Sequence, residues 1–126
     1  MALEARYYFE TGEYDKAYRL AQQAYILDPY NRMAFTVIVQ SKIAKEWVGF
    51  INDYNTFIKE IEKIANKPYI TKKDKLKIKI MLEILMNEYK LLKPSLLLPK
   101  ELKEEAKKDY LKVRELYEKL FGKRSG

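Results

Sequence analysis

Apolar residues recur every three or four positions along most of the chain, which is the spacing of one face of an α-helix. This spacing is interrupted at Gly12, Pro29, Pro68 and Pro94, residues that end helices or prevent their continuation. The pattern therefore predicts an all-α protein, and a further break expected between residues 45 and 47, where a second repeat of the first hairpin would turn, brings the number of helices to six. They are expected at residues 2–10, 13–27, 31–45, 47–65 and 72–93, with a sixth that has Pro99 at its N-terminus and ends at Phe121.

Several helix ends carry specific signals. Asn31 is a suitable N-cap for the third helix, and Thr71 with Asp74 three residues later forms a variant of the capping box. Gly122 is placed to end the sixth helix in the left-handed conformation. Because Gly in a helix interior costs about 1 kcal/mol relative to Ala, Gly49 is expected to mark a turn or a close contact.

The length of 126 residues is that of one domain. The six helices would pair into three antiparallel hairpins over residues 1–29, 30–66 and 70–122, followed by a frayed tail at 123–126. Ala2 and Leu3 resemble the interior of a helix, so we expect either a piece of a longer protein or a shortened first helix. A truncated helix would leave an apolar face open, and self-association is one expected consequence.

The first hairpin contains a recognisable pattern. In TGEYDKAYRLAQQAYILDPYN, residues 11–31, a glycine makes the turn, small residues let two helices approach, and a proline ends the second helix. This combination resembles the tetratricopeptide repeat, a helix A–turn–helix B unit of about 34 residues. The residues that carry the resemblance are Ala5, Tyr8, Gly12, Tyr14, Ala17, Ala24, Leu27 and Pro29.

The resemblance weakens along the chain. Around residues 45–50, Trp47 replaces the tyrosine of the motif and Phe50 replaces its small residue, while the third hairpin has no residue of the signature. The third hairpin is expected to be either a divergent repeat or a capping hairpin, and the three hairpins are expected to stack as a short tetratricopeptide-like superhelix.

The resemblance implies a function. Members of the family hold a peptide or helix of another protein on the concave surface lined by their A helices, and this chain is expected to be such a non-catalytic scaffold. The A-helix positions that would face a partner are Arg6, Phe9, Glu10, Met33, Thr36, Val37, Gln40 and Ile43. Val37 and Ile43 are alternatively interpreted as core residues.

The net charge of +7 lies in the second half of the chain. Residues 1–66 contain 8 Lys and Arg against 9 Asp and Glu, whereas residues 67–126 contain 17 against 9. The densest cluster is a candidate site for nucleic acid or another anion, and the alternative is a solvated surface. Its members are Lys67, Tyr69, Lys72, Lys73, Lys75, Lys77 and Lys79.

The chain has no Cys and no His, which excludes thiolate nucleophiles, imidazole bases and the usual zinc ligands. No paired carboxylates or phosphate-binding loop stand out, so we expect no enzyme, no cofactor and no metal.

Without a long apolar stretch or a signal peptide, a cytoplasmic protein with no membrane partner is expected. The abundance of Lys and Glu and the scarcity of Gln are typical of thermophilic proteins. The leucines at 96–98 should pack against a neighbouring element or a partner.

Overall fold

The computed structural model describes residues 1–123, and all regular secondary structure within that range is helical. The all-α prediction is confirmed. The described part of the chain forms five α-helices, and the end of the expected tail, 124–126, lies outside the described residues. The helices are α1 (Ala2–Glu10), α2 (Tyr14–Leu27), α3 (Arg32–Ala65), α4 (Lys72–Leu91) and α5 (Lys100–Phe121).

The predicted helix ends are confirmed where the sequence carries a local signal. Gly12 and Gly122 adopt φ angles of 84° and 86°, the left-handed region in which a Cβ atom is disfavoured. The Asn31 side chain accepts a hydrogen bond of 3.0 Å from the backbone N–H of Ala34 at the start of α3. Thr71 and Asp74 form the complete capping box at the start of α4.

The predicted break at residues 45–47 is wrong. Residues 32–65 form one continuous helix, so the expected second hairpin at 30–66 is absent and the six predicted helices become five. The buried positions Ala44, Trp47 and Phe50 keep the helical period across the expected turn. Gly49 lies within α3, and a Cβ atom added to it would meet nothing within 4 Å, so Gly49 marks neither a turn nor a close contact.

The described residues divide into two compact units. Unit 1 comprises Met1–Glu46 and Lys93–Pro99, and therefore contains α1, α2 and the first part of α3. Unit 2 comprises Trp47–Leu92 and the described residues from 100 to 123, and contains the rest of α3 with α4 and α5.

Unit 1 is built on small residues. Ala5 of α1 and Ala17 and Ala21 of α2 are fully buried, and Val37 of α3 packs with them. Because an alanine occupies little volume, the helix backbones can approach closely at these positions. An ion pair of 2.8 Å between Asp15 and Lys45 joins α2 to α3 at the surface.

Unit 2 is built on large apolar and aromatic residues. Phe50, Leu82, Leu85 and Val113, contributed by α3, α4 and α5, are its largest fully buried apolar side chains. The rings of Tyr89 in α4 and Tyr110 in α5 are stacked 4.2 Å apart. Further along the two helices, the Tyr117 hydroxyl donates a hydrogen bond of 3.3 Å to Glu83. Glu83 precedes Tyr89 in α4, whereas its partner Tyr117 follows Tyr110 in α5, so the two helices are antiparallel.

Candidate functional site: a groove between α1 and α3

Unit 1 contains an open cavity of about 400 Å³ between α1 and the beginning of α3. We call it the α1–α3 groove. Seven of the eight residues predicted to face a partner line it, and two further residues complete the wall. The lining residues are Arg6, Phe9, Glu10, Arg32, Met33, Thr36, Val37, Gln40 and Leu97.

Helical spacing brings these residues together. Arg6, Phe9 and Glu10 lie at positions i, i+3 and i+4 of α1 and therefore share one face. Met33, Thr36 and Val37 have the same spacing in α3, and Gln40 follows one turn later. The capped start of α3 at Asn31 fixes where this second face begins.

The interior of the groove is apolar. Phe9, Met33, Val37 and Leu97 provide its apolar surface. Val37 is only 4% exposed and packs on the alanine core of unit 1, so its side chain belongs both to the groove wall and to the core. The two interpretations of Val37 made from the sequence therefore do not exclude each other.

Charged and polar groups surround this apolar surface. The Arg6 guanidinium donates a hydrogen bond of 3.0 Å to Glu10, one turn further along α1. Both side chains are more than half exposed, so this ion pair contributes at most about 1 kcal/mol and leaves both groups available to a ligand. Arg32 and Thr36 are exposed on α3.

A distant segment closes one side of the groove. The Ser95 hydroxyl donates a hydrogen bond to the side-chain oxygen of Gln40, and the backbone N–H of Leu97 donates to Ser95 Oγ over 3.1 Å. These bonds hold residues 93–99 against α3 and place Leu97 in the wall. The expectation for the three leucines holds only in part, because Leu98 is buried whereas Leu96 and Leu97 are exposed.

Ile43, the eighth residue predicted to face a partner, is not among the residues that line the groove. It is half-buried and follows Gln40 by three residues, which carries it about 4.5 Å further along α3, beyond the lining residues. Arg32 was missed, although it precedes Thr36 by one helical turn and this spacing could have identified it. Leu97 was missed because nothing local in the sequence shows that residues 93–99 return to unit 1.

The predicted lysine cluster lies in unit 2, and three of its lysines interact with other side chains of that unit. Lys67 pairs with Asp74 at 2.9 Å and Lys77 pairs with Glu60 at 3.3 Å. The ammonium group of Lys79 lies 5.9 Å from the centre of the Phe121 ring. The remaining members are exposed at the surface, and they are Tyr69, Lys72, Lys73 and Lys75.

Two carboxyl groups of unit 2 have raised pKa values. Burial, followed by the hydrogen bond and charge of Asp53, raises the pKa of Glu88 to about 7. Burial and the charge of Glu105 raise the pKa of Asp109 to about 6, although Lys112 and Lys108 act in the opposite direction. Neither carboxyl lines the groove, and the described residues include no group of three acidic side chains arranged to hold a metal ion.

Within residues 1–123, no helix combines the length and the apolar composition needed to cross a membrane. Comparison with known proteins supplies no relative: no family model, curated protein or solved structure matches this chain.

Proposed function

We propose that unit 1 is a non-catalytic interaction module that holds a peptide or helix of a partner protein in the α1–α3 groove. The observation that carries this proposal is the convergence of residues from two helices and a distant segment on one open apolar cavity. Such a surface suits an amphipathic helix, which binds by laying its apolar face into a groove while its polar face remains in water.

The tetratricopeptide-like interpretation belongs to this proposal. The hairpin of α1 and α2 has the turn and the small buried residues of that repeat, and the first part of α3 stands where helix A of the next repeat would lie. The groove lies between α1 and the first part of α3, which this proposal equates with the A helices of two successive repeats. The continuous α3 departs from the repeat, so we restrict the repeat-like arrangement to unit 1.

The composition of the groove limits the partner segment. A volume of about 400 Å³ accommodates a few apolar side chains, which would contact Phe9, Met33 and Leu97. The Arg6–Glu10 pair at the edge offers both charges, and Arg32 adds a further cation. A segment with two or three large apolar residues at helical spacing and polar residues of both signs would therefore fit.

The proposal is tested by selecting peptides from a random library displayed on phage against the immobilised protein. The selected peptides are then labelled and their dissociation constants are measured by fluorescence anisotropy. The double variant Met33→Glu, Thr36→Glu places two charges in the groove near the N-terminus of α3, where acidic residues are compatible with the helix dipole. We expect its affinity to fall at least tenfold, equivalent to about 1.4 kcal/mol.

Lys42→Glu is the matched control, because it makes the same change in net charge on α3 outside the groove. Circular dichroism must show equal helix content in all three proteins. If the double variant binds the selected peptides as well as Lys42→Glu does, the groove is not their site. Val37 is unsuitable for this test because it belongs to the core.

A further inference from the structure

The helix α4 of unit 2 has a second apolar face that points to solvent. Leu76, Ile80, Ile84 and Leu91 are 56%, 49%, 41% and 78% exposed. They follow one another by four, four and seven residues, so they lie in one row along the helix. With a rise of 1.5 Å per residue, this row is about 22 Å long. We call it the α4 stripe.

The stripe is separate from the face that holds unit 2 together. Ile78, Leu82 and Leu85 are buried and already supply α4 with its core contacts. A helix needs only one apolar face to pack in a two-layer domain. An aligned row of four large apolar residues on the opposite side has no role in the core, and an apolar row of this kind typically marks an interaction surface.

The charges that border the stripe are positive. Lys73 projects from the same side of the helix as the stripe, Lys72 and Lys79 lie to one side of its N-terminal half, and Lys90 lies beside its C-terminal end. Lys72, Lys73 and Lys75 are exposed and make no ion pair within the described part of the chain. The lysines of α4 that lie beside the stripe and make no such pair are Lys72, Lys73, Lys79 and Lys90.

The acidic residues of α4 do not balance these lysines. Asp74 accepts hydrogen bonds from Lys67 and from the backbone of Thr71. Glu83 accepts the hydrogen bond of Tyr117, and Glu88 lies beside Asp53, which together with burial favours its neutral form. The border of the stripe therefore carries a net positive charge, which is concentrated at its N-terminal turns, and Lys90 is the basic residue near its C-terminal end.

We propose that the α4 stripe is a docking surface for an acidic amphipathic helix of a partner protein. The apolar side of that helix would cover the four stripe residues, and carboxylates on its flanks would pair with the bordering lysines. This site is distinct from the α1–α3 groove, and its failure would leave the function proposed for unit 1 untouched.

The apolar row and its positively charged border together favour this class of partner over the alternatives. A second copy of the chain with its stripe in parallel would bring the N-terminal lysines of the two helices together, which opposes that pairing. A nucleic acid would satisfy the lysines, but its phosphate backbone offers nothing to a row of Leu and Ile side chains. An acidic amphipathic helix is complementary to both the apolar row and the charge.

The test uses a fluorescein-labelled designed helix of about 18 residues, long enough to cover the stripe, with Leu at helical spacing and Glu on both flanks. A second probe has Lys in place of every Glu. Anisotropy titrations of the full chain should give at least tenfold tighter binding for the Glu probe. Equal affinities for the two probes would overturn the proposal.

Two variants locate the binding site. Ile80→Ser with Ile84→Ser should weaken binding of the Glu probe at least tenfold, whereas Leu111→Ser, a half-exposed leucine of α5, should leave it unchanged. Leu91→Ser provides a second test of the stripe near the end of α4, where a polar residue does not disturb the core. Unchanged binding in both stripe variants would contradict the assignment.

Charge reversal completes the test. Lys72→Glu with Lys73→Glu places acidic residues in the first turn of α4, where the helix dipole favours them, so folding should be retained. Binding of the Glu probe should weaken at least fivefold relative to Lys100→Glu with Lys107→Glu, a control of equal charge on α5.

If an oligonucleotide or vesicles with roughly one-third phosphatidylserine bind more tightly than the Glu probe and depend on the stripe, the partner is not a protein.

Discussion

Asp109 offers a quantitative test of the packing in unit 2. Its side chain is 2% exposed, and its Oδ2 atom has no hydrogen-bond partner within the described residues. Burial in this position disfavours the carboxylate and raises the pKa of Asp109 from 3.8 to about 6. Replacing Asp109 with Asn preserves the shape of the side chain and removes its ionisation.

The sign of the effect follows from the raised pKa. The folded protein binds the Asp109 proton more tightly than the unfolded chain does, so the stability linked to this group is present below pH 3.8 and is lost as the pH rises through about 6. A pKa raised from 3.8 to about 6 corresponds to about 3 kcal/mol between the low-pH and high-pH limits. Between about pH 4 and pH 8, about 2 to 3 kcal/mol of this should be observed.

The assay is urea unfolding followed by circular dichroism, performed on the wild-type protein and on Asp109→Asn at both pH values. The Asn amide introduces its own unsatisfied group, but that cost does not depend on pH. The free energy of unfolding of Asp109→Asn relative to wild type should therefore be about 2 to 3 kcal/mol higher at pH 8 than at pH 4. A difference that is the same at both pH values would refute the assignment of a raised pKa to Asp109.

Three further substitutions are expected to change stability in defined directions, each measured by the same urea titration. Gly49→Ala should stabilise the protein by about 0.5 to 1 kcal/mol, because Gly49 is inside α3 and open space surrounds the added methyl group; destabilisation would contradict that environment. Ser41→Ala should stabilise by about 1 kcal/mol, since Ser41 Oγ is buried without a hydrogen-bond partner among the described residues; a loss of stability would indicate that the hydroxyl is bonded. Thr71→Ala removes the hydrogen bond from the Asp74 N–H and should destabilise by about 1 kcal/mol, whereas an unchanged stability would argue against the capping box.

Local signals in the sequence were sufficient for most of the fold. Gly12, Pro29 and the Thr71–Asp74 pair act on their own backbone or on neighbours within a turn, so the helix ends that they mark are confirmed. The break predicted at residues 45–47 had no such signal. It followed from aligning a second repeat, and the uninterrupted burial of Trp47 and Phe50 shows that tertiary packing continued the helix instead.

The groove was predictable to the extent that it depends on helical spacing. Residues one turn apart on α1 and on α3 necessarily share a face, and seven of the eight named residues do line the cavity. Leu97 could not be assigned in this way, because its position depends on the hydrogen bond between Ser95 and Gln40, two residues 55 positions apart. A contact over that separation leaves no local trace in a single sequence.

Methionine methyl groups provide the most direct measurement of the central claim, that the α1–α3 groove binds a partner segment. The chain contains four methionines, of which Met33 lines the groove while Met81 and Met86 are buried in unit 2. In methyl NMR spectra of protein labelled at methionine, a peptide selected from the library should shift the Met33 signal in proportion to saturation and leave Met81 and Met86 unchanged. A saturating peptide that leaves the Met33 signal in place would contradict the account.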